Sequence, residues 1–382
     1  MLAYWILVGL AIALALLSLR GDRARADFIA EALARRPSPQ DLPPATVIVP
    51  VKGHDEGLQV NLASLGSLDY PDYELIIVAR SEGDVPAIEL PARARLIIAG
   101  DGDAGTGEKI NNLVAAVAAA RPESSVFAFA DSDGQVQSGW LQALVTPLAD
   151  SQVGLTTGYR WHLPTPPDFW SLTRSAWNSV IAGGFHGGNN DFAWGGAMAI
   201  RRETFHAARV ADFWRGAISD DFRIAEAIHA SGLRISYAPG ALVACTDHTT
   251  AREFLSWIER QMIITRVYYP KLWWLGLFAH LIYCSAMAAS VYVSFQGSTF
   301  AGEYVLVTQL GLGMLKGTNR ASIAKAAMPA YETWFKRHGW VLTWWVPLAT
   351  WVWLYSFLAS ARTNVISWRG NRYTVARPAP LR

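Results

Sequence analysis

The sequence SVFAFADSD, residues 125–133, decides the fold class. Its apolar run ends at two carboxylates, which is typical of a strand buried on both faces of a parallel sheet. Helical patterns separate several runs of this kind, so the sequence predicts an α/β domain over residues 45–270 with a mostly parallel sheet. The other runs of apolar or β-branched residues, bounded by Gly, Pro or Asp, are ATVIVPV (45–51), YELIIVA (73–79), ARLIIAG (94–100) and VGLTTGY (153–159).

The strand ends are where a functional site is expected. In sheets with right-handed crossovers, ligands bind beyond the carboxyl ends of the strands. Asp131 and Asp133 lie at such an end, and both can approach one hard divalent cation, Mn²⁺ or Mg²⁺. The alternative is a strand-end turn without a metal. A second Asp-x-Asp, at Asp101 and Asp103, lies in a Gly-rich stretch and is predicted to be a flexible loop.

Two further carboxylates lie at a predicted helix start. Residues 217–232, AISDDFRIAEAIHASG, have Ser219 as an N-cap and Gly232 as a stop signal. Asp220 and Asp221 then fall in the first turn, where the helix dipole favours their ionised form. An ionised carboxylate there is a candidate general base towards a hydroxyl group. The alternative is that both residues only stabilise the helix.

Basic residues on two helices are candidates for phosphate binding. A helix capped by Thr250 carries Arg260 and Arg266, and the fork of Arg suits a diphosphate because it is bidentate and always charged. Next to a membrane span, the same residues serve as topology signals. Lys109 and Asn112, at another helix start, are candidate phosphate or sugar contacts, with a solvated helix face as the alternative.

The hydrophobic residues, 52% of the 382-residue chain, are concentrated in blocks near its ends. Leu2–Leu19 carries no charge and is followed by basic residues, which predicts an uncleaved anchor over residues 1–20 with a cytoplasmic C-terminal side. A cleaved signal peptide is the alternative. A basic linker is predicted over residues 21–44. The basic residues after the anchor are Arg20, Arg23, Arg25, Arg35 and Arg36.

Residues 271–382 are predicted to form a C-terminal membrane region with a basic tail that ends at Arg382. Within it, residues 272–295 are long enough to span a bilayer, and residues 304–315 suit a re-entrant or interfacial segment. Residues 340–361 carry Pro347, and either span with a kink or lie in the interface. The number of spans stays open.

The charge and cysteine content argue against disulfide-rich, zinc-thiolate and nucleic-acid-binding proteins. The formal net charge is +2, and the chain has two cysteines, Cys245 and Cys284. Two cysteines form neither a disulfide framework nor a thiolate zinc site. A near-neutral charge balance predicts no nucleic-acid partner.

These motifs, in their shared order, resemble the ceramide glucosyltransferase family, a branch of the family-2 glycosyltransferases with bacterial relatives such as hopanoid-associated enzymes. The resemblance covers nearly the whole chain. It is carried by VIVPVKG (47–53), LDYPDYELIIV (68–78), EKINNL (108–113), FADSD (129–133), GGAMAIRRETF (195–205), ISDDF (218–222), RQMIITR (260–266) and ISWRGNRYTV (366–375).

The resemblance implies a GT-A type domain that transfers a hexose, glucose, with inversion from a UDP-sugar to the hydroxyl of a membrane lipid such as ceramide. It implies that Asp131 and Asp133 hold the divalent metal and the diphosphate, and that Asp221 deprotonates the acceptor. Pro50 and Lys52 would lie by the nucleotide. The active site would then be cytoplasmic, in a multi-pass protein of the bacterial inner membrane.

Two positions depart from the family pattern. The (Gln/Arg)-x-x-Arg-Trp motif falls on residues 260–264, where two Ile replace the Arg and Trp, and Arg266 is expected to take over the positive charge. The family has an Asp after its second strand that contacts the uracil or ribose. In this sequence the second strand ends in VARSEGD (78–84) instead. The candidates there are Ser81, Glu82 and Asp84.

Two other functions compete with lipid glycosylation. A processive polysaccharide synthase of the cellulose or hyaluronan type needs a polymer channel and an intact Gln-x-x-Arg-Trp motif, and the sequence indicates neither. An inactive membrane scaffold that keeps nucleotide binding is favoured by the two departures. For the lipid enzyme, residues 166–184 form a predicted membrane-entry path, with Trp170 and Trp177 on one helical face.

Overall fold

The computed structural model describes residues 1–35, 37–297 and 299–378. Arg36 and Arg382 therefore lie outside the described residues. The chain divides into two compact units. The sheet unit comprises Ile29–Thr165, Phe185–Asp247 and Val365–Arg382, and the helical unit comprises Met1–Phe28, Pro166–Gly184 and His248–Asn364.

Both units are built from the following elements, numbered in chain order. The strands of the described residues are β1 Ala45–Pro50, β2 Tyr73–Ala79, β3 Ala94–Ile98, β4 Val126–Ala130, β5 Val153–His162, β6 Ala197–Arg201, β7 Arg234–Cys245, β8 Val365–Trp368 and β9 Asn371–Thr374. The helices are α1 Leu2–Ala34, α2 Leu58–Gly66, α3 Glu108–Ala119, α4 Trp140–Val145, α5 Phe169–Ala182, α6 Arg202–Ala207, α7 Val210–Trp214, α8 Asp220–Ala230, α9 Ala251–Tyr268, α10 Pro270–Phe295, α11 Thr299–Ala327, α12 Glu332–His338, α13 Trp340–Trp344 and α14 Val346–Ser360.

The sheet unit contains a seven-stranded sheet with the order β3-β2-β1-β4-β6-β5-β7. All neighbouring pairs are parallel except the two that involve β6, which runs antiparallel to β4 and to β5. The predicted α/β class and mostly parallel sheet are thus confirmed. The reversal of β6 matters for the site because it brings the start of β6 to the edge where β1, β4, β5 and β7 end.

Apolar side chains from the sheet and its helices form the core of this unit. Phe127 and Phe129 of β4 are fully buried and pack edge-to-face on Phe205 and Trp214, with ring centroids 5.6 and 5.7 Å apart. Aromatic pairs in this geometry add to the free energy of burial. Phe127 and Phe129 lie on the same face of β4, and their packing therefore fixes the position of the strand that leads into Asp131.

In the helical unit, α5 packs on α14 through two tryptophans. Trp177 stacks on Trp353 with centroids 4.1 Å apart, and the Trp353 indole N–H donates to the Trp177 carbonyl at 3.2 Å. Trp170, by contrast, is 36% exposed. Trp170 and Trp177 were predicted to share an amphipathic face. They differ in exposure, because Trp177 belongs to the core of its unit.

Two helices of the described residues, α1 and α10, are long and apolar enough to cross a membrane by length and composition. Helix α1 has 33 residues, about 50 Å at 1.5 Å per residue, and so continues well beyond its apolar first half. On α10, Trp274, Leu275 and Phe278 are each more than half exposed, which is typical of a helix in contact with lipid.

The other two apolar blocks are also helical. Residues 304–315 lie inside the 29-residue helix α11, and the re-entrant or interfacial placement predicted for them stays a prediction. Residues 340–361 form two helices, α13 and α14, and Pro347 lies in the first turn of α14. A proline is tolerated there because its missing N–H has no partner within the helix. The predicted domain limits at residues 20, 44 and 270 stay predictions.

Candidate active site

The two carboxylates of the DSD sequence lie in a turn directly after β4. The Ser132 hydroxyl donates to Asp55 Oδ2 at 2.6 Å, and the Asn61 amide donates to the Ser132 carbonyl at 3.0 Å. Asp55 and Asn61 come from the segment that follows β1. These bonds hold the turn, so Asp131 and Asp133 leave the sheet at its carboxyl edge in a fixed geometry.

Lys109, in the first turn of α3, connects this turn to α8. Its Nζ lies 2.8 Å from Asp131 Oδ1 and 3.1 Å from Asp220 Oδ2. Burial alone would lower the pKa of Lys109, but the two carboxylates outweigh it and raise the pKa above its usual value. Lys109 is therefore a fixed positive charge at the centre of the site.

Arg160, near the end of β5, is a second buried cation. Its guanidinium lies 3.6 Å from Asp131 Oδ2 and 3.6 Å from Asp133 Oδ2 and stands 4.6 Å above the ring of Trp194. Burial would raise the pKa of Asp131, but Lys109 and Arg160 together lower it below the usual value. Asp131 is therefore ionised at neutral pH.

Asp133 has a different environment from Asp131. Burial raises its pKa, Arg160 partly opposes this, and the neighbouring Asp131 raises it further. Its Oδ1 is buried and makes no hydrogen bond with the described residues. A buried acceptor without a partner is costly, and a divalent cation would satisfy it. The oxygen donors of Asp131 and Asp133 thus fit Mn²⁺ or Mg²⁺.

Three further side chains of types that can ligate a metal lie at the same edge of the sheet. The ligand atoms of His162, Cys245 and Asp247, at the ends of β5 and β7, all lie within 4.8 Å of one another. The charge of Asp247 also acts on Asp133. The cluster therefore adjoins the DSD turn.

The two aspartates at the start of α8 have different surroundings. Asp220 is 6% exposed and points to Lys109, and burial raises its pKa to about 6, partly opposed by Lys109. Asp221 Oδ1 accepts the Ser219 hydroxyl and the Phe222 N–H, so one oxygen of this carboxylate is held in place. Of the two, Asp220 pairs with the buried Lys109, whereas the Asp221 carboxylate is held by groups of its own helix start.

The loop after β1 is held from the opposite side by the C-terminal hairpin. Lys52 Nζ lies 2.6 Å from Glu108 Oε2, which also accepts the Asn371 amide at 2.9 Å. Arg369 lies 2.6 Å from Asp55 and donates to the Lys52 carbonyl at 2.9 Å. The candidate nucleotide residues Pro50 and Lys52 thus lie at the same carboxyl edge as Asp131.

The model of glycosyl transferase family 21 matches residues 3–379 of the chain. The chain belongs to glycosyl transferase family 21. The resemblance predicted from the motifs is thereby confirmed, and membership makes the protein a glycosyltransferase that uses a nucleotide-sugar donor.

One solved structure similar to this glycosyltransferase is the mannosyltransferase PcManGT from Pyrobaculum calidifontis in complex with GDP-Man and Mn²⁺. The two chains are 18% identical, the match covers 91% of this chain and 99% of that chain, and the TM-score is 0.49.

The remaining predicted site residues of the glycosyltransferase have the following positions. Asn112 is 3% exposed within α3, so a solvated helix face is wrong for this residue. Glu82 is exposed, in a turn whose Asp84 carbonyl accepts the Gly53 N–H at 2.7 Å. The turn after β2 therefore contacts the loop after β1.

Arg260 and Arg266 lie on α9 in the helical unit. The Arg266 guanidinium donates to the Thr363 carbonyl at 2.7 Å and to the side chain of Asn364. In the structure, its charge is thus engaged by the chain that follows α14. The binding of a diphosphate by Arg260 and Arg266 stays a prediction.

The sequence did not predict Arg160, Asp55 and Arg369 as parts of this site. Arg160 directly follows the predicted strand 153–159, and its position at a strand end was a usable signal. Arg369 lies in the ISWRGNRYTV motif, but 317 residues separate it from Lys52, a contact that only the fold can show.

Proposed function

We propose that this glycosyltransferase transfers a hexose, glucose, with inversion from a UDP-sugar to the hydroxyl group of a membrane lipid such as ceramide. The observation that supports it most directly is the meeting of Asp131, Lys109 and the first turn of α8 at one edge of the sheet. This arrangement combines a place for a charged leaving group with a candidate base.

The leaving group is a diphosphate, whose charge grows as the sugar departs. Lys109 and Arg160 are buried cations beside Asp131 and Asp133, and preorganised charges of this kind are usually the largest contribution to such catalysis. Asp131 and Asp133 would hold the divalent cation, which when bound supplies further positive charge to the diphosphate oxygens.

Asp221 is the proposed general base. The acceptor oxygen forms a bond to the anomeric carbon while the bond from that carbon to the diphosphate oxygen breaks, and the hydroxyl proton passes to Asp221 Oδ2. A single displacement on the face opposite the leaving group inverts the anomeric carbon. Ser219 and Phe222 hold Oδ1, which fixes the orientation of the carboxylate.

A membrane lipid as acceptor is supported by the two helices, α1 and α10, that are long and apolar enough to cross a bilayer. An enzyme held in the membrane meets an acceptor that water does not dissolve. The proposed location is the bacterial inner membrane, with the sheet unit in the cytoplasm.

The experiment is an acceptor panel. Membranes containing the protein are incubated with labelled UDP-glucose, Mn²⁺ or Mg²⁺, and ceramide, diacylglycerol or a hopanoid. A lipid carrying one sugar supports the proposal. A high-mass polymer would indicate a processive synthase instead, and UDP binding without any transfer would indicate an inactive scaffold.

The role of Asp221 is tested by Asp221→Asn, with Asp220→Asn as the neighbouring comparison. We expect Asp221→Asn to lower kcat about 10²- to 10⁴-fold while the affinity for UDP stays within about 3-fold, because only proton removal is lost. Turnover by Asp221→Asn at the wild-type rate would show that this residue is not the base.

A further inference from the structure

The C-terminal hairpin of the sheet unit has an unusual turn. Strands β8 and β9 pair in register from Val365 with Thr374 to Trp368 with Asn371, which leaves Arg369 and Gly370 as a two-residue loop. Both have positive φ, 49° and 78°, as the tight turns of β-hairpins require. Asn or Gly is the usual residue at the first position, whereas a left-handed Arg is strained. The turn places Arg369 at the tip of the hairpin.

The contacts of Arg369 place its guanidinium at the carboxyl edge of the sheet. It lies 2.6 Å from Asp55 Oδ1, and its second terminal nitrogen donates to the Lys52 carbonyl at 2.9 Å. Asn371, on the other side of the turn, donates to Glu108 at 2.9 Å. The hairpin tip is therefore fixed to the loop after β1 and to the start of α3.

The Arg369 guanidinium is also close to the turn of Asp131 and Asp133, the residues proposed to hold the metal and the diphosphate. Asp55 accepts the hydroxyl of Ser132, the residue between Asp131 and Asp133, and the charge of Arg369 helps to lower the pKa of Asp131. The two contacts of Arg369 use two of the five guanidinium N–H groups, and the side chain is 29% exposed. Three N–H groups remain for other acceptors, and guanidinium N–H groups are strong donors to phosphate oxygens.

We propose that Arg369 binds the diphosphate of the nucleotide-sugar donor, and that the β8–β9 hairpin is a fixed wall of the donor site. Asp55 holds the guanidinium in place, so little conformational entropy is lost when the donor binds. This inference rests on the proposed nucleotide-sugar transfer at the same edge of the sheet.

The test compares the binding of UDP and of UMP, which differ by the β-phosphate. The full-length protein is reconstituted in lipid nanodiscs at a fixed Mn²⁺ concentration, and Kd is measured by calorimetry for wild type, Arg369→Ala, Arg369→Lys and Arg372→Ala. Arg372 is an exposed residue of the same hairpin and serves as the matched control. Unfolding temperatures of all variants are recorded in parallel.

We expect Arg369→Ala to weaken UDP binding about 10- to 100-fold and UMP binding by less than about 3-fold, because charge-assisted hydrogen bonds to the β-phosphate are lost. Arg369→Lys, which keeps the charge but not the fork, should fall between wild type and Arg369→Ala. Arg372→Ala should bind both nucleotides as wild type does.

An equal loss of UDP and UMP affinity, or no loss, would overturn the inference and leave Arg369 as a structural clamp between β9 and the loop after β1. That result is distinguishable from failure of the proposed function. If wild type itself binds no uridine nucleotide and transfers no sugar, the proposed donor is wrong, whatever Arg369 does.

Discussion

At the scale of single residues, the site is organised by opposed buried charges. Lys109 is shared by Asp131 and Asp220, and Arg160 by Asp131 and Asp133. Removing one partner of such a set leaves the other charge without compensation, which is costly in a buried environment. The carboxylates therefore differ in proton affinity, with a lowered pKa for Asp131 and a raised one for Asp133 and Asp220.

The pKa of Asp220 predicts a pH dependence of stability. The pKa is about 6 in the folded protein against 3.8 for the free side chain, because burial disfavours the ionised form. Between these values the folded state keeps a proton that the unfolded state has lost, so this residue's contribution to stability falls as pH rises from about 4 to about 6. Above pH 6 the contribution stays constant.

Asp220→Asn lacks this titration and keeps the side-chain volume. We expect the stability of wild type relative to Asp220→Asn to fall by on the order of 1–3 kcal/mol between pH 4 and pH 7. The measurement is the difference in unfolding temperature between the two proteins in detergent across that range. A difference that stays constant with pH would contradict the raised pKa of Asp220.

At the scale of elements, the reversed strand β6 delivers two glycines to the site. A Cβ on Gly195 would lie 2.4 Å from Asp220 Oδ2 and 3.0 Å from Lys109 Nζ, and one on Gly196 would lie 2.7 Å from Asp131 Oδ2. No side chain fits between the start of β6 and these charges. The GG sequence thus allows the close approach that the Lys109 ion pairs need.

Gly195→Ala should therefore separate Lys109 from Asp220. We expect kcat/KM for the donor to fall about 10- to 100-fold, since misplacing catalytic groups by about 1 Å has effects of that size. Gly139→Ala is the matched control, because Gly139 has φ −82° and no heavy atom within 4 Å of an added Cβ. Equal activity of the two variants would show that the glycine is not required for this geometry.

The sequence predicted the five strands with strong apolar runs, which the structure has as β1 to β5. It did not predict β6, whose AMAIR sequence is short and rich in residues with weak strand preference. Strand β7 contains Pro239 and Gly240, which are typical of turns. Its pairing with β5 depends on Gly158, where a Cβ would lie 2.1 Å from the Ala241 carbonyl oxygen.

The site, like the sheet, was predictable from the sequence only in part. Asp131, Asp220 and Lys109 follow local signals, a strand end and two helix starts, and the structure brings them together. Arg369 and Asp55 meet across more than 300 residues of chain, and no local pattern carries that information. Their roles, like that of Asp221, stay predictions until the variants are measured.

At the scale of the whole molecule, each unit has its own chemistry. The sheet unit holds buried, paired charges at one edge of its sheet, as a water-soluble nucleotide sugar requires. The helical unit exposes large apolar side chains on α10, as contact with lipid requires. These two properties of one chain support the proposed transfer from a soluble donor to an insoluble acceptor.

The most direct test of this account is the product itself. The purified protein in nanodiscs containing ceramide is given isotope-labelled UDP-glucose and a divalent metal, and the lipids are analysed by mass spectrometry. We expect ceramide that carries one labelled hexose, released UDP in roughly equal amount, and no such lipid with Asp221→Asn. Unmodified lipid after complete incubation, or a labelled polymer in its place, would contradict it.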